Sequence, residues 1–328
     1  MIIGSICKDN KKISKALWYQ KIMVTLHKTQ KEGQSMKIIK PQYEIWEQAQ
    51  GENAIYTQIE RAGRVCYKSE EHTTATSAKP FVGRMIEHEH YAMLEHGTVY
   101  LCADHGVLTS KYATNPFSRL NTVNGKDYIT TNMRVLAENK WLDDLQYFED
   151  YNSNFERRIT VHFTTQVAIT REFNRHRADS MAEQSTRYCN YSKNKFGNEI
   201  SVNLPEWVKN EPDFDSNTNY DQHDFVNLLR DMSEGKSSEW SKFQLWLFAN
   251  EAAEYAYMHL IELGCKPQEA RVILPLDTNT ELVHTAFVSD WKHFFDLRAL
   301  GTTGAPHPDA KAIAQPLYEE FKTRGYIL

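Results

Sequence analysis

The sequence predicts an α+β fold, a mixed sheet with flanking helices. Strand-like and helix-like segments interleave without strict β-then-α alternation, which argues against a doubly wound parallel sheet. Neither G-x-G-x-x-G nor G-x-x-x-x-G-K-[ST] occurs, so the glycine-rich phosphate loops of such sheets are missing too. The chain's 328 residues, 41% of them hydrophobic, can bury one large core or two ordinary ones.

The elements follow from local pattern. "MKIIKP", from Met36, reads as a first strand, and apolar spacing makes Glu52 to Tyr67 a helix. Ala78 to His90 fits a second helix, with Phe81, Met85 and Ile86 on one side. His96 to Asp104 alternates and is a strand; "YITTNMRVLAEN" is a short strand running into a helix. Arg158 to Thr165 is another strand, and "TQVAITREFNRH" has helical spacing. "NYSKNKFGNEISVNLPEW" reads as loop and strand, and Asn210 to Asp224 as a polar surface loop. A long helix is predicted from about Ser238 to Leu263, stopped by Gly264, and another begins at Pro267. Asp290 to Leu300 is an amphipathic helix, and a helix from His307 closes the chain.

Residues 1–35 are Lys-rich and differ in character from the rest of the chain, so the domain is expected to run from 36 to 328. They read as a weakly ordered extension or as the product of an upstream start codon, without the apolar run of a signal peptide. Net charge is −5, which favours neither nucleic acid nor an anionic membrane. No stretch of about 18 apolar residues suggests a transmembrane helix. The cysteines, Cys7, Cys66, Cys102, Cys189 and Cys265, are scattered without a C-x-x-C pair, which fits a reducing compartment, most simply the cytoplasm.

Three clusters carry candidate chemistry. "NRHRADSMAEQSTRY" gathers Arg175, His176, Arg177 and Arg187 around Asp179, Glu183, Ser180 and Ser185. Guanidinium forks, a serine hydroxyl and free backbone N–H groups suit a phosphate, and Glu183 could accept from a ribose hydroxyl. A solvated, salt-bridged face fits the same charges. "EHEHYAMLEHG" places His88, His90, Glu95 and His96 together; a metal, a ligand-facing helix end and a mixed surface are all readings. Arg271 precedes an apolar run and Arg298 sits within "FFDLRAL". A buried arginine needs a partner, either Glu269 or Asp296, or a polyanionic ligand.

Arg175, His176 and Arg177, followed after seven residues by Ser185, make the pattern RHR-x7-S. This resembles the signature of the flavin-dependent thymidylate synthases. Three further segments agree in order, and the resemblance runs from about Met36 to the end. "HEHYAMLEH" is similar to the family's His-x-Thr/Ser-Pro-x-Glu-His element through His90, Glu95 and His96. "EARVILP" is similar to its Ala-Arg-x-x-Leu-Pro segment through Ala270, Arg271, Leu274 and Pro275. "FFDLR", followed by "HPDAKAIA", resembles its late Leu-Arg helix and closing helix through Leu297, Arg298 and His307.

The resemblance implies that family's fold and its reaction. NADPH reduces bound FAD, methylenetetrahydrofolate gives its methylene carbon to C5 of dUMP, and the reduced flavin completes the methyl group of dTMP, without a cysteine nucleophile. It implies a homotetramer with active sites shared among subunits, acting on small molecules and not on nucleic acid or membrane. It assigns FAD contacts to His90, Ala92, Glu95, Arg175, His176, Arg177, Glu183, His293 and Leu297, with no metal. It assigns dUMP contacts to Glu172, Arg175, Glu183, Ser185, Thr186, Arg187, Arg271 and Arg298. Arg298 carries the catalytic role, favouring the ionised pyrimidine. The chain departs from the family where Glu172 replaces Gln, Ala92 replaces Thr or Ser, and His293 replaces Asn. Thr186, Phe287 and Ser289 also stand where other residues are usual. Residues 106–157 read as an insertion packed on the domain, between two strands that run almost directly together in compact members.

Overall fold

A computed structural model describes residues 36–216 and 222–327; the expected N-terminal extension lies outside the described residues. The central sheet is antiparallel and has the order β2 (Gln42–Trp46), β6 (Arg158–Gln166), β9 (Asn279–Phe287), β7 (Ser180–Glu183). A second antiparallel sheet joins β3 (Thr98–Asp104), β5 (Lys126–Asn132) and β4 (Arg119–Val123). Parallel pairing occurs between β1 (Lys37–Ile39) and β8 (Ser201–Asn203). The fold class is therefore α+β as expected, and the mixed strand directions are divided among separate sheets.

Strand alternation gives the central sheet two different faces. Ile159, Val161, Phe163, Leu282 and Ala286 point to one side. There they pack against α5 (Val167–Phe173), α9 (Val288–Phe295) and α10 (Pro308–Thr323), through Phe173, Trp291, Phe294, Ile313, Leu317 and Phe321. The other face meets α1 (Glu52–Tyr67) through Ala62, Val65, Ala182 and Val283. The apolar spacing of α1 has a further use, because Ile55 and Ile59 enter the core of the second sheet. One helix thus bolts the two sheets together.

Residues 106–157 form α3 (Thr109–Tyr112), β4, β5, α4 (Met133–Glu138) and a 3-10 turn at Leu142–Tyr147. Their core side chains Tyr112, Ile129, Met133 and Leu136 pack with Phe81 and Val82 of α2 (Ala78–Glu87). A third core lies under α7 (Lys242–Glu262), where Trp246, Leu247 and Tyr257 meet Tyr191, Val202 and Ala270. Ser241 caps α7 in a capping box with Gln244, and Gly264 ends it at φ +96°.

Several expectations shift. α2 stops at Glu87, so His88–His90 are not helical; Glu89 turns the chain at φ +54°. The polar segment expected as loop up to Asp224 already starts α6 (Gln222–Ser233). The helix at Pro267 is one turn, α8 (Pro267–Ala270), followed by a 3-10 turn at Arg271–Ile273. The helix expected over 290–300 is α9 plus a π-turn at Asp296–Leu300. Ser180–Glu183, for which no element was read, is the edge strand β7. Among the described residues no helix is long and apolar enough to cross a membrane.

Candidate functional site

The site is built where α5 ends. Its last carbonyls need partners, and the chain cannot supply them all from its own turn. The Arg175 N–H donates to the Glu172 carbonyl at 3.2 Å. The same carbonyl accepts from Arg298 Nη2 at 2.7 Å, so an arginine from the π-turn caps the helix. Arg298 also bonds the Glu172 carboxylate at 2.8 Å through Nη1 and His176 Nε2 at 3.3 Å through Nε. The arginine's partner is therefore Glu172, not the expected Asp296 or Glu269. Burial pulls the Arg298 guanidinium below its ordinary value, Glu172 opposes that, and Arg175 adds to it.

His176 is buried against Phe294, with its ring edge-on to His293. Burial, with repulsion from His284, Arg298 and His293, pushes it down to about 4, against a weaker pull from Asp179. A neutral ring agrees with Nε2 accepting from Arg298. Arg175 and Arg177 flank it on the surface, and their guanidinium groups make no ion pair among the described residues.

β7 carries the chain from this cluster to the next. Glu183 is half-buried at its end and accepts from Thr170 Oγ1 at 2.7 Å and Asn174 Nδ2 at 3.1 Å. It balances no arginine among the described residues. Beyond it, the Ser185 hydroxyl accepts from the Arg187 N–H at 3.3 Å, leaving its own O–H to donate. Thr186 Oγ1 accepts from Arg271 at 3.2 Å, and Arg187 Nε donates to Gln268 at 3.3 Å. Arg271, expected to be semi-buried, is exposed. The expected free backbone donors are not all available. The Ser185 N–H is taken by the Cys66 carbonyl, and those of Tyr188 and Cys189 by Ser185. An anion here would meet side chains more than backbone.

The third cluster divides. His88 and His90 are exposed, their rings 6.3 Å apart. His96 turns inward and bonds Thr285 at 2.9 Å, so the three imidazoles are not brought together. Burial, reinforced by Arg158 and His284, pushes His96 down to about 3. Among the described residues no group of His, Cys, Asp or Glu is placed to hold a metal. Ala92 is exposed, and Glu95 is ion-paired with Arg134. His293 is exposed on α9 and Leu297 is half-buried on the π-turn.

Two residues that sequence reasoning passed over hold these parts in register. Arg158 is 8% exposed, and burial draws it down to about 10. It donates to the Glu95 carbonyl at 3.1 Å and to Ser180 Oγ at 3.0 Å. It thereby ties the 91–96 turn to the start of β7. On the opposite face, buried His284 bonds Asp179 at 2.7 Å. That pair pins the loop carrying Arg175–Arg177 to β9. No sequence pattern marks His284: it faces inward on β9 opposite Val161, and β9 is buried on both faces for most of its length.

Glu183 and Gln184 point to opposite sides of the strand. Gln184 lines a separate pocket of about 310 Å³ with Lys37, Lys68 and Glu281, on the α1 side.

The chain matches the profile of Thy1, the thymidylate synthase complementing proteins, over residues 119–324. A probable flavin-dependent thymidylate synthase of Paramecium bursaria Chlorella virus 1 is 26% identical over 164 residues, covering 50% of this chain and 67% of that protein. Among solved structures, the UMP/dUMP methylase PolB from Streptomyces cacaoi bound with 5-Br dUMP aligns over 88% of this chain and 93% of its own, at 15% identity and a TM-score of 0.37. The same methylase bound with 5-Br UMP gives 14% identity and 0.38, covering 88% of this chain and 92% of that one.

Proposed function

Because the chain belongs to the thymidylate synthase complementing proteins, the flavin-dependent thymidylate synthases, we propose that it methylates dUMP to dTMP. In this reading methylenetetrahydrofolate is the carbon donor and NADPH-reduced FAD the hydride source. One observation carries it. Two groups of hydrogen bonds, Arg298 with Glu172 and Arg271 and Gln268 with Thr186 and Arg187, bring distant segments to the two ends of 172–187, a ridge of arginines with hydroxyls and the carboxylates Glu172 and Glu183. A nucleoside monophosphate needs that chemistry. Arg187, Arg271, Ser185 and Thr186 suit its phosphate. Glu183, held by Thr170 and Asn174, suits a sugar hydroxyl. Arg175 reaches toward the nucleotide, and Arg298 with Glu172 meets the base.

The residues also fit a flavin dinucleotide. Arg175 and Arg177 are exposed cations without an ion pair among the described residues, as a diphosphate requires. His90, Ala92, Glu95, His176, His293 and Leu297 would line the remainder, with His176 held as an uncharged ring. When bound, the reduced flavin supplies the hydride that completes the methyl group. Cysteine is not needed as nucleophile, and the thiols nearest the loop agree. Burial raises Cys66 and Cys189 to about 11, so both are protonated at neutral pH.

The site is open on this chain, and apolar side chains stand beside it. Val272, which follows Arg271, is 79% exposed and Leu276 52%. These support a homotetramer in which neighbours complete the site. The free thiols among the described residues support a reducing, cytoplasmic setting.

The test is anaerobic. Flavin-loaded protein is reduced with NADPH, then given dUMP and methylenetetrahydrofolate. The expected result is dTMP formed together with flavin reoxidation. A yellow, reducible protein that yields no dTMP contradicts the proposed activity.

A further inference from the structure

The pocket on the α1 side takes no part in the ridge. Strand alternation builds one wall of it. Asn279 and Glu281 are two apart on β9, and Lys37 and Ser201 are paired partners across β1 and β8. Gln184 follows β7, Lys68 is the C-cap of α1, and the 195–199 turn adds a further side. The Lys195 ammonium donates to the Lys68 carbonyl at 2.7 Å, so two cationic residues meet at the end of that helix. The cavity holds about 310 Å³, within the range of small-molecule sites. Its polar groups are unevenly engaged. Glu281 is held by Lys68, by His162 at 2.9 Å and by Gln184 at 3.3 Å. Lys37, Lys195 and Glu199 make no ion pair among the described residues. Tyr191 lines the cavity and is 4% exposed, yet its hydroxyl has no partner, and neither has Asn279 Oδ1. Buried polar atoms are seldom left so.

We propose that this pocket is a second ligand site, for a small sugar phosphate, separate from the ridge. Lys37 and Lys195 meet the phosphate as unpaired point charges. Glu199 and Asn279 Oδ1 accept from the sugar hydroxyls, and the Tyr191 hydroxyl donates. Charge decides between this ligand and a polyanion. Three lysines and two carboxylates line the cavity, a net charge of one positive. A polyanion would face Glu199 and Glu281 with too few cations to offset them. A ligand with one anionic end and several hydroxyl donors uses both kinds of group. The proposal stands whatever the ridge binds, because Gln184 faces away from Glu183 and none of the residues that line the pocket is assigned to the nucleotide or the flavin.

Calorimetric titration of the full chain tests this, with ribose 5-phosphate, ribose and inorganic phosphate as ligands. The double variant Arg187→Gln, Arg271→Gln removes the cations assigned to the dUMP phosphate. It should still bind one equivalent of ribose 5-phosphate. Inorganic phosphate should bind it about tenfold more weakly, for want of the hydroxyl contacts, and ribose should not bind measurably. Adding Lys37→Gln and Lys195→Gln should weaken ribose 5-phosphate by about tenfold or more. Loss of all binding in the arginine variant overturns the proposal, because the sugar phosphate then goes to the ridge alone. Unchanged affinity after the lysine substitutions overturns it too. Inorganic phosphate that binds as tightly as ribose 5-phosphate does the same, since the pocket then reads an anion and no sugar. Both lysines are exposed. If the combined variant does not fold, Lys195→Gln in the wild-type background decides by the same comparison.

Discussion

Arg298 and Glu172 are 126 positions apart in sequence and 2.8 Å apart in space. Replacing Arg298 by Ala removes the group proposed to meet the base and leaves Glu172 as an uncompensated carboxylate. Turnover of dUMP should fall by about 10²-fold or more, measured as kcat/KM; unchanged kinetics would remove Arg298 from the site. A second effect at this scale concerns acid. His96 and His176 are held below the ordinary histidine value, to about 3 and about 4. As pH falls through about 6.5, the unfolded chain takes up protons that the folded chain refuses, so stability is lost from there downward. His96→Asn, whose amide can keep a bond to Thr285, should flatten that acid loss in thermal unfolding. Curves that run parallel to wild type contradict it. The candidate site residues were named from residue type, spacing and resemblance. Their partners were not. Glu172 reaches Arg298, and Gln268 reaches Arg187, only because the sheet brings distant segments together.

Helices with a clear apolar stripe were readable as elements, and α1 and α10 are where their spacing puts them. β9 was not readable. It is buried on both faces for most of its length, so the period-two signal of a half-exposed strand is absent. β7 has four residues and is set by pairing with β9, which no local pattern encodes. One element contact can be tested directly. Gly97 follows the 91–96 turn, and a Cβ there would lie 2.6 Å from Ile59 Cδ1 and 2.9 Å from Ile55 Cγ2. Both isoleucines are fully buried in α1, so neither can retreat freely. Gly97→Ala should cost about 1–3 kcal/mol of overpacking, read as a lower thermal midpoint. An unchanged midpoint would show that α1 and the turn are less tightly docked than this contact requires.

At the scale of the whole molecule, the segments that build the cores also carry the ridge of charge. Leu263, 82% exposed, joins Val272 and Leu276 as apolar surface without cover in a single chain. For the proposed homotetramer, multi-angle light scattering should give about four times the 38.2 kDa chain mass. A fully active monomer would show that one chain completes its own site. Oligomeric state could not be read from composition, and entered only through resemblance. The central claim is that this ridge holds dUMP while carbon is added at C5. Release of tritium from C5-labelled dUMP, with flavin, NADPH and methylenetetrahydrofolate present, tests it most directly. The predicted result is release in step with dTMP, lost in Arg298→Ala. Binding of dUMP without any release of tritium would contradict it.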